Sequence, residues 1–208
     1  ALGNFKGLVK KGEHIDQDNN RYYIYFEYSK ADHRKNIEET KKQAANLISE
    51  YESLSKDEFV PRLQKLVHAY ESLYQVYGED VFTNINKRNV NLQSFVPSEI
   101  QRLIRLVRLT DTNPIPYQGV FMQPLIAQLI FEASLKLPGS NEFPLDNLPF
   151  TFEFEAGSGD FGYQDIVSAE GTVFIEISKI TSKIPMQYAI SYIDLKVLKR
   201  GSSEFYHL

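Results

Sequence analysis

The spacing of apolar residues changes along this chain from a helical period to a strand period. Between residues 37 and 77, two segments carry apolar residues at every third or fourth position, as amphipathic helices do. From Pro149 onward apolar and polar residues alternate, most clearly in FTFEFEA at residues 150–156, which indicates antiparallel strands. Because helical segments precede the strands and do not alternate with them, the order predicts an α+β fold and argues against βαβ units.

Local signals divide the predicted helical middle, residues 31–137, into separate helices. Ser55 and Glu58 have capping-box spacing in a short link, which predicts an antiparallel pair of helices. A further helix is predicted to begin at Pro97–Ser98 and to continue through Val107, and the segment 124–137, apolar on almost every side, is predicted to be a central helix. We predict one domain, 1–208, with three blocks: an N-terminal strand region (1–30, with the strand RYYIYFEY at 21–28), a helical block (31–148) and a C-terminal β-meander (149–208, with a last strand over 188–199). The helical middle is expected to pack on one antiparallel sheet formed by the N-terminal strand and the C-terminal β-meander.

Composition limits the class of protein further. With 208 residues and 42% hydrophobic residues, the chain can form a core without a metal or a disulfide. It has no cysteine, which excludes thiolate chemistry and leaves the compartment undetermined. The net charge of -4 favours neither nucleic acid nor an anionic membrane as a partner. The longest uncharged run, 112–131, is interrupted by prolines, so we expect a soluble protein without a membrane span.

The segment AGSGDFG, residues 156–162, has the glycine spacing G-x-G-x-x-G. A dinucleotide site needs a helix directly after these glycines, whereas strand patterns flank them here. The segment resembles the glycine-rich loop of protein kinases, including Phe161 before the last glycine. Glu176, however, occupies the position of the kinase lysine that meets the phosphates. We therefore predict a turn between strands, in which glycine supplies a positive φ.

The acidic residues near this turn suggest a second resemblance. Asp165 and Glu176, followed by Lys179, resemble the PD-(D/E)xK arrangement of metal-dependent nucleases, which implies Mg²⁺ held by carboxylates. A two-residue turn at 169–170 would place Asp165 and Glu176 on one face of a hairpin, and Lys179 on the other. The candidate metal ligands are Glu155, Asp165 and Glu176. The competing interpretation has Ile166, Val173, Ile175 and Ile177 on the buried face, and Asp165 and Glu176 on the solvated one.

Two other groups are candidates for binding. Arg102, Arg105 and Arg108, called here the arginine stripe, are predicted to line one side of a helix and to bind an acidic partner, or to form a solvated face. The aromatic residues of 21–28 are predicted to pack one face in the core, with a stacking platform as the alternative. The histidines His14, His33, His68 and His207 lack metal-ligand spacing.

These observations lead to two function hypotheses. The first is a non-catalytic binding or interaction protein, part of a larger assembly, with a protein partner and no cofactor. The alternative is a divalent-metal-dependent nuclease or phosphoesterase that uses the carboxylates of the 150–179 strands with Mg²⁺. None of the resemblances spans the chain, and the sequence leaves open whether the protein is an enzyme.

Overall fold

The computed structural model describes residues 8–76, 78–113, 115–139, 141–162, 166–167 and 170–200. Helices and many antiparallel strands in several sheets confirm the predicted α+β class. In chain order the described elements are β1 (Leu8–Asp16), β2 (Arg21–Tyr28), α1 (Lys30–Ser53), α2 (Phe59–Gln75), β3 (Phe82–Ile85), β4 (Arg88–Asn91), α3 (Leu92–Ile104), β5 (Val107–Asp111), β6 (Leu129–Lys136), β7 (Glu142–Pro144), β8 (Pro149–Ala156), β9 (Gly159–Phe161), β10 (Ile166–Val167), β11 (Thr172–Ile175), β12 (Ile177–Ile180), β13 (Tyr188–Ile193) and α4 (Leu195–Arg200).

The N-terminal strand forms a hairpin of its own. β2 pairs antiparallel with β1, from Leu8 opposite Tyr28 to Asp16 opposite Arg21, and these two strands form a separate sheet. The register shifts between Lys10 and Gly12. The strand itself is therefore as predicted, but its expected place in one sheet with the C-terminal strands is wrong.

The first two helices lie antiparallel, as the short polar link predicts. Glu50, near the end of α1, pairs with Lys65 of α2, while Lys41, further back in α1, pairs with Glu79 beyond the end of α2. In the link between them, the Glu58 carboxylate accepts a hydrogen bond from the Ser55 backbone N–H at 2.9 Å. The N-cap of α2 is Glu58, which makes no side-chain cap hydrogen bond, so this contact closes the link and does not form the predicted capping box.

The third helix begins earlier than its sequence signal indicates. α3 starts at Leu92, where the Asn91 side chain accepts a hydrogen bond from the Gln93 N–H at 2.9 Å. Leu92 and Val96 are buried, and Pro97 lies inside the helix. The burial of Leu92 and Val96 and the Asn91 cap stabilise a helix that begins at Leu92. These contributions outweigh the helix-start signal at Pro97.

The segment predicted to be the central helix is largely a strand. β6 covers Leu129–Lys136 and lies between β5 and β11, so its backbone groups are satisfied from both sides. Ala133 and Leu135 are buried, whereas Ile126 is 96% exposed. The exposed Glu132 and Lys136 alternate with these buried residues, as in a strand with one solvated face. The uninterrupted apolar run 129–131 obscures this alternation, because a short apolar run does not distinguish a strand from a buried helix.

The alternating segment at 150–156 is a strand, as predicted. β8 pairs with β13, with Ile193 opposite Phe150, and on its other side with β10. The predicted last strand over 188–199 ends early, because Asp194 accepts hydrogen bonds from the Lys196 and Val197 N–H groups at 2.8 and 3.0 Å and caps α4.

One hydrophobic core joins the helices to the strands. The two antiparallel helices meet α3 on one side, and α4 connects α2 to β8. Among the fully buried side chains of this core are Ile48, Tyr51, Leu63, Leu66, Leu92, Val96, Leu135, Leu148, Val173, Ile175 and Leu198.

Candidate functional site

The glycine motif is a turn that joins β8 to β9, as its strand context predicts. Gly157 has a φ of +101°, which glycine adopts without strain. The Ser158 N–H donates to the Gln187 side chain at 3.2 Å, and the Ser158 carbonyl accepts from the Thr181 and Ser182 N–H groups. These backbone groups are bonded within the protein, which argues against a phosphate cradle.

The motif's aromatic residue belongs to the protein interior. The Phe161 ring stacks on Phe154 with centroids 4.7 Å apart and also contacts Phe152 at 6.3 Å. Phe152 and Phe154 lie on one face of β8, and Phe161 lies on β9, which follows β8 in the chain and pairs with β12. Phe161 therefore holds the turn against β8 by packing on these rings, although it resembles the phenylalanine of a kinase glycine-rich loop.

Two glycines of the motif respond differently to an added methyl group. At Gly159 a Cβ would lie 2.6 Å from the Lys179 carbonyl oxygen and 2.9 Å from the Phe154 ring, whereas at Gly162 the nearest atom is 3.7 Å away. We expect Gly159→Ala to lower the free energy of unfolding by about 1.5 kcal/mol, because backbone and ring must shift. Gly162→Ala is the control and should change it by less than about 0.5 kcal/mol. Urea unfolding of both variants measures the difference, and equal losses would contradict this turn geometry.

The proposed metal ligands are only partly described. Glu155 on β8 and Glu176, between β11 and β12, are exposed, while Asp165 lies outside the described residues. The predicted pairing of 163–168 with 171–176 is not observed for the described strands, because β10 pairs with β8 and β11 pairs with β6. Within the described ranges, no group of three or more histidine or acidic residues could hold a metal ion.

The parity predicted for this region is confirmed where it can be observed. Val173, Ile175 and Ile177 are buried, and Glu176 is exposed. Lys179 lies on β12 opposite Asp160 and is half-buried. The buried face of β11 and β12 therefore belongs to the core, and Glu155 and Glu176 are exposed to solvent. The side chains of Asp165 and Ile166 lie outside the described part of the chain.

The arginine stripe is not a helix face. α3 ends at Ile104, so only Arg102 belongs to the helix; Arg105 is its C-cap, and Arg108 lies on β5 opposite Ser134. The helix closes with a tight turn in which the Leu106 N–H donates to the Leu103 carbonyl at 2.9 Å. Pairing of β5 with β6 begins directly afterwards and takes Arg108 out of the helical register.

Arg102 takes part in a network that joins three helices. Its Nε and Nη2 atoms donate to the two Glu99 carboxylate oxygens at 2.8 and 2.7 Å, and the Tyr51 hydroxyl from α1 donates to the same carboxylate. The Arg62 guanidinium from α2 lies 4.5 Å from the Tyr51 ring centroid, a cation–π contact. This network fixes the packing of the helices, so Arg102 has a structural role.

The pKa values of the network follow from its burial and hydrogen bonds. Burial and the hydrogen bond to Glu99 raise the pKa of Tyr51 to about 12. Burial raises the pKa of Glu99, but hydrogen bonds from Arg102 and Tyr51 outweigh it and hold this pKa below its usual value. Neutral tyrosine and charged glutamate are thus the forms that stabilise the fold at neutral pH.

A groove of about 680 Å³ separates α2 from α4. Tyr70 and Tyr74 of α2 are 46% and 72% exposed along it. Ile100 and Leu195 contribute further apolar surface, and Lys199 forms an ion pair with Glu71 at its edge. The groove is a shallow apolar surface with charges at its rim.

Among the described residues, the largest group of exposed hydrophobic side chains that lie close in sequence is on the hairpin of β1 and β2, called here the aromatic hairpin (residues 8–28). Its described side chains are exposed on both faces, apart from the half-buried Gly12 and Asp16. The prediction that one face packs in the core is therefore wrong. Seven large hydrophobic residues of the hairpin are exposed: Val9, Ile15, Tyr22, Tyr23, Ile24, Tyr25 and Phe26.

The sequence of β2 contains a signal for the exposure of the aromatic hairpin, and the prediction of one buried face does not take it into account. Aromatic residues stand side by side at Tyr22–Tyr23 and at Tyr25–Phe26, which places apolar groups on both faces of β2. A strand with one face in a core alternates apolar and polar residues. Both faces of β2 carry apolar side chains, and in this two-stranded sheet both faces are exposed. Such a pattern indicates apolar surface that is available to a partner.

Polar contacts stabilise the hairpin from within. Glu13 accepts hydrogen bonds from Lys10 and from the Tyr22 hydroxyl, which lower the pKa of its carboxyl group. Lys11 forms an ion pair with Glu27 across the two strands, and the His14 ring stacks on Tyr23 with centroids 6.2 Å apart. The charged groups of the hairpin balance one another, so it presents no basic field.

The fold and this surface define an α+β protein that presents an exposed aromatic hairpin. No protein-family model, curated protein or solved structure matches the chain. Among the helices of the described residues, none combines the length and apolar character that crossing a membrane requires.

Proposed function

We propose that this chain is a non-catalytic interaction protein that binds a protein partner through the aromatic hairpin, as part of a larger assembly. The observation that carries the proposal is the exposure of aromatic and aliphatic side chains on both faces of β2, with Tyr25 at 58%. An isolated two-stranded hairpin is at best marginally stable in water, and contiguous exposed apolar surface marks interaction sites.

The chemistry of the hairpin favours a protein partner over nucleic acid. Tyrosine and phenylalanine are enriched in the centres of protein interfaces. The cations Lys10, Lys11 and Arg21 are matched by the carboxylates Glu13, Asp16 and Glu27, so the strands carry no excess of the positive charge that phosphate binding uses. The net charge of -4 points the same way.

Site-specific photo-crosslinking tests this proposal. A crosslinking residue replaces Tyr25 in the aromatic hairpin or, as the control, Tyr74 on α2, and each purified variant is mixed with extract of its source cells. We expect a protein adduct from position 25 that unlabelled wild-type chain competes away, and none from position 74, although Tyr74 is the more exposed side chain. Equal adducts at both positions, or none at position 25, would refute a partner at the hairpin.

The arginine stripe contributes to this proposal at two positions. The Arg105 and Arg108 side chains are exposed, whereas Arg102 is bonded to Glu99. Arg105 and Arg108 are therefore the members whose charge is free to meet an acidic partner.

A further inference from the structure

The two edges of the aromatic hairpin differ in their capacity to pair with another strand. The β1 edge carries Lys10 and Lys11 and a register shift between Lys10 and Gly12, features that discourage pairing. β2 has no proline, glycine or register shift, and its only charges are Arg21 and Glu27 near its ends. In the described part of the chain, β2 pairs with β1 alone, so its outer edge is a template for strand addition.

The sequence of β2 is complementary to itself about its central residue. Outward from Ile24, Tyr23 mirrors Tyr25, Tyr22 mirrors Phe26, and Arg21 mirrors Glu27. We propose that the β2 edge binds the β2 edge of a second copy of this chain, antiparallel and about a two-fold axis at Ile24. This inference rests on the proposed function and names the partner of the hairpin.

Charge complementarity selects this register. With the axis at Ile24, Arg21 of each copy lies opposite Glu27 of the other, and the symmetry produces this pair twice. An axis between Ile24 and Tyr25 places Glu27 opposite Tyr22, and an axis at Tyr25 places it opposite Tyr23. Neither of these neighbouring registers sets opposite charges against each other.

Contacts within the hairpin support the same arrangement. Glu27 already pairs with Lys11 of its own chain, so in the dimer its carboxylate lies between two cations. Tyr22, Ile24 and Phe26 share a face, and the two-fold axis joins them to the same three residues of the second copy. The resulting sheet has four strands, beyond the three that give a sheet independent stability.

Sedimentation velocity of the purified chain over a range of concentrations tests the dimer. We expect the wild-type chain to dimerise, and Arg21→Glu or Glu27→Arg alone to weaken the dimer by roughly 10- to 100-fold, because each sets two like-charge pairs across the axis. An equimolar mixture of the two variants should dimerise again, because both contacts in the mixed dimer join Glu to Arg. Local damage to one hairpin would not be repaired by mixing, so the mixture separates register from folding.

A wild-type chain that remains monomeric, single variants that dimerise as well as wild type, or a mixture that stays monomeric would each overturn the dimer. The photo-crosslinking at position 25 distinguishes this failure from failure of the proposed function. A monomeric chain that crosslinks to a different protein at position 25 overturns the dimer and leaves the interaction hairpin in place. A monomeric chain without a competed adduct overturns both.

Discussion

Leu135→Ala is expected to lower the free energy of unfolding by about 3 kcal/mol, whereas Ile126→Ala changes it by less than about 0.5 kcal/mol. Leu135 lies on β6 with 2% of its surface exposed, and its removal leaves a cavity between sheet and helices. Ile126 precedes that strand and is 96% exposed, so its truncation removes little buried area. Urea unfolding, with midpoint and slope fitted for each variant, measures both values.

The two residues together test the structure of the segment 124–137. A helix that is apolar on every side buries both side chains, and truncating either one would then cost a similar amount. A large loss for Ile126→Ala, or a small one for Leu135→Ala, would contradict the strand. An unchanged slope in the urea titration shows that both variants still unfold from the same compact state.

This segment also shows where sequence-based prediction of the fold reaches its limit. The α1 and α2 helices and the β8 strand were predictable, because each has one apolar and one polar face and therefore a clear period. β6 alternates too, with Ala133 and Leu135 buried and Glu132 and Lys136 exposed, but the uninterrupted apolar run 129–131 at its start obscures the period. The partner strands that make it a strand come from 107–111 and 172–175, which no local pattern relates to it.

The residues of the candidate binding groups could be identified from the sequence, but their positions in the fold could not. The residue types of 21–28 predict a strand, as observed. The exposure of that strand depends on whether another part of the fold packs against it, and the local sequence does not contain this information. The prediction that the arginine stripe lies on one helix face assumes that the helix continues past Ile104. In the structure the helix ends there, and the chain pairs as strand β5 with β6. Tertiary pairing outweighs local propensity at the arginine stripe, whereas at 21–28 the strand agrees with local propensity and its exposure is decided by the rest of the fold.

Reversing the charge of Arg102 should destabilise the protein, while the same change at Arg105 should not. We expect Arg102→Glu to lower the free energy of unfolding by about 2 kcal/mol, because it removes two charged hydrogen bonds to the largely buried Glu99 carboxylate and sets a second carboxylate beside it, although the half-exposed Arg102 side chain is partly screened by solvent. Arg105→Glu, at an exposed C-cap, should cost less than about 0.5 kcal/mol. Thermal or urea unfolding at neutral pH compares the two.

The pH dependence of the stability difference between wild type and Arg102→Glu shows whether the lost stability is electrostatic. The pKa of Glu99 is held below its usual value in the folded protein, so its stabilising contribution is present above the ordinary carboxyl pKa of about 4.3 and is lost as the pH falls through the lower, folded value. In Arg102→Glu, protonation at low pH also removes the repulsion between the two carboxylates. The stability difference between wild type and Arg102→Glu should therefore narrow below about pH 4, whereas loss of packing alone would leave it constant. A constant difference, or an equal loss for Arg105→Glu, would contradict the network of Tyr51, Glu99 and Arg102.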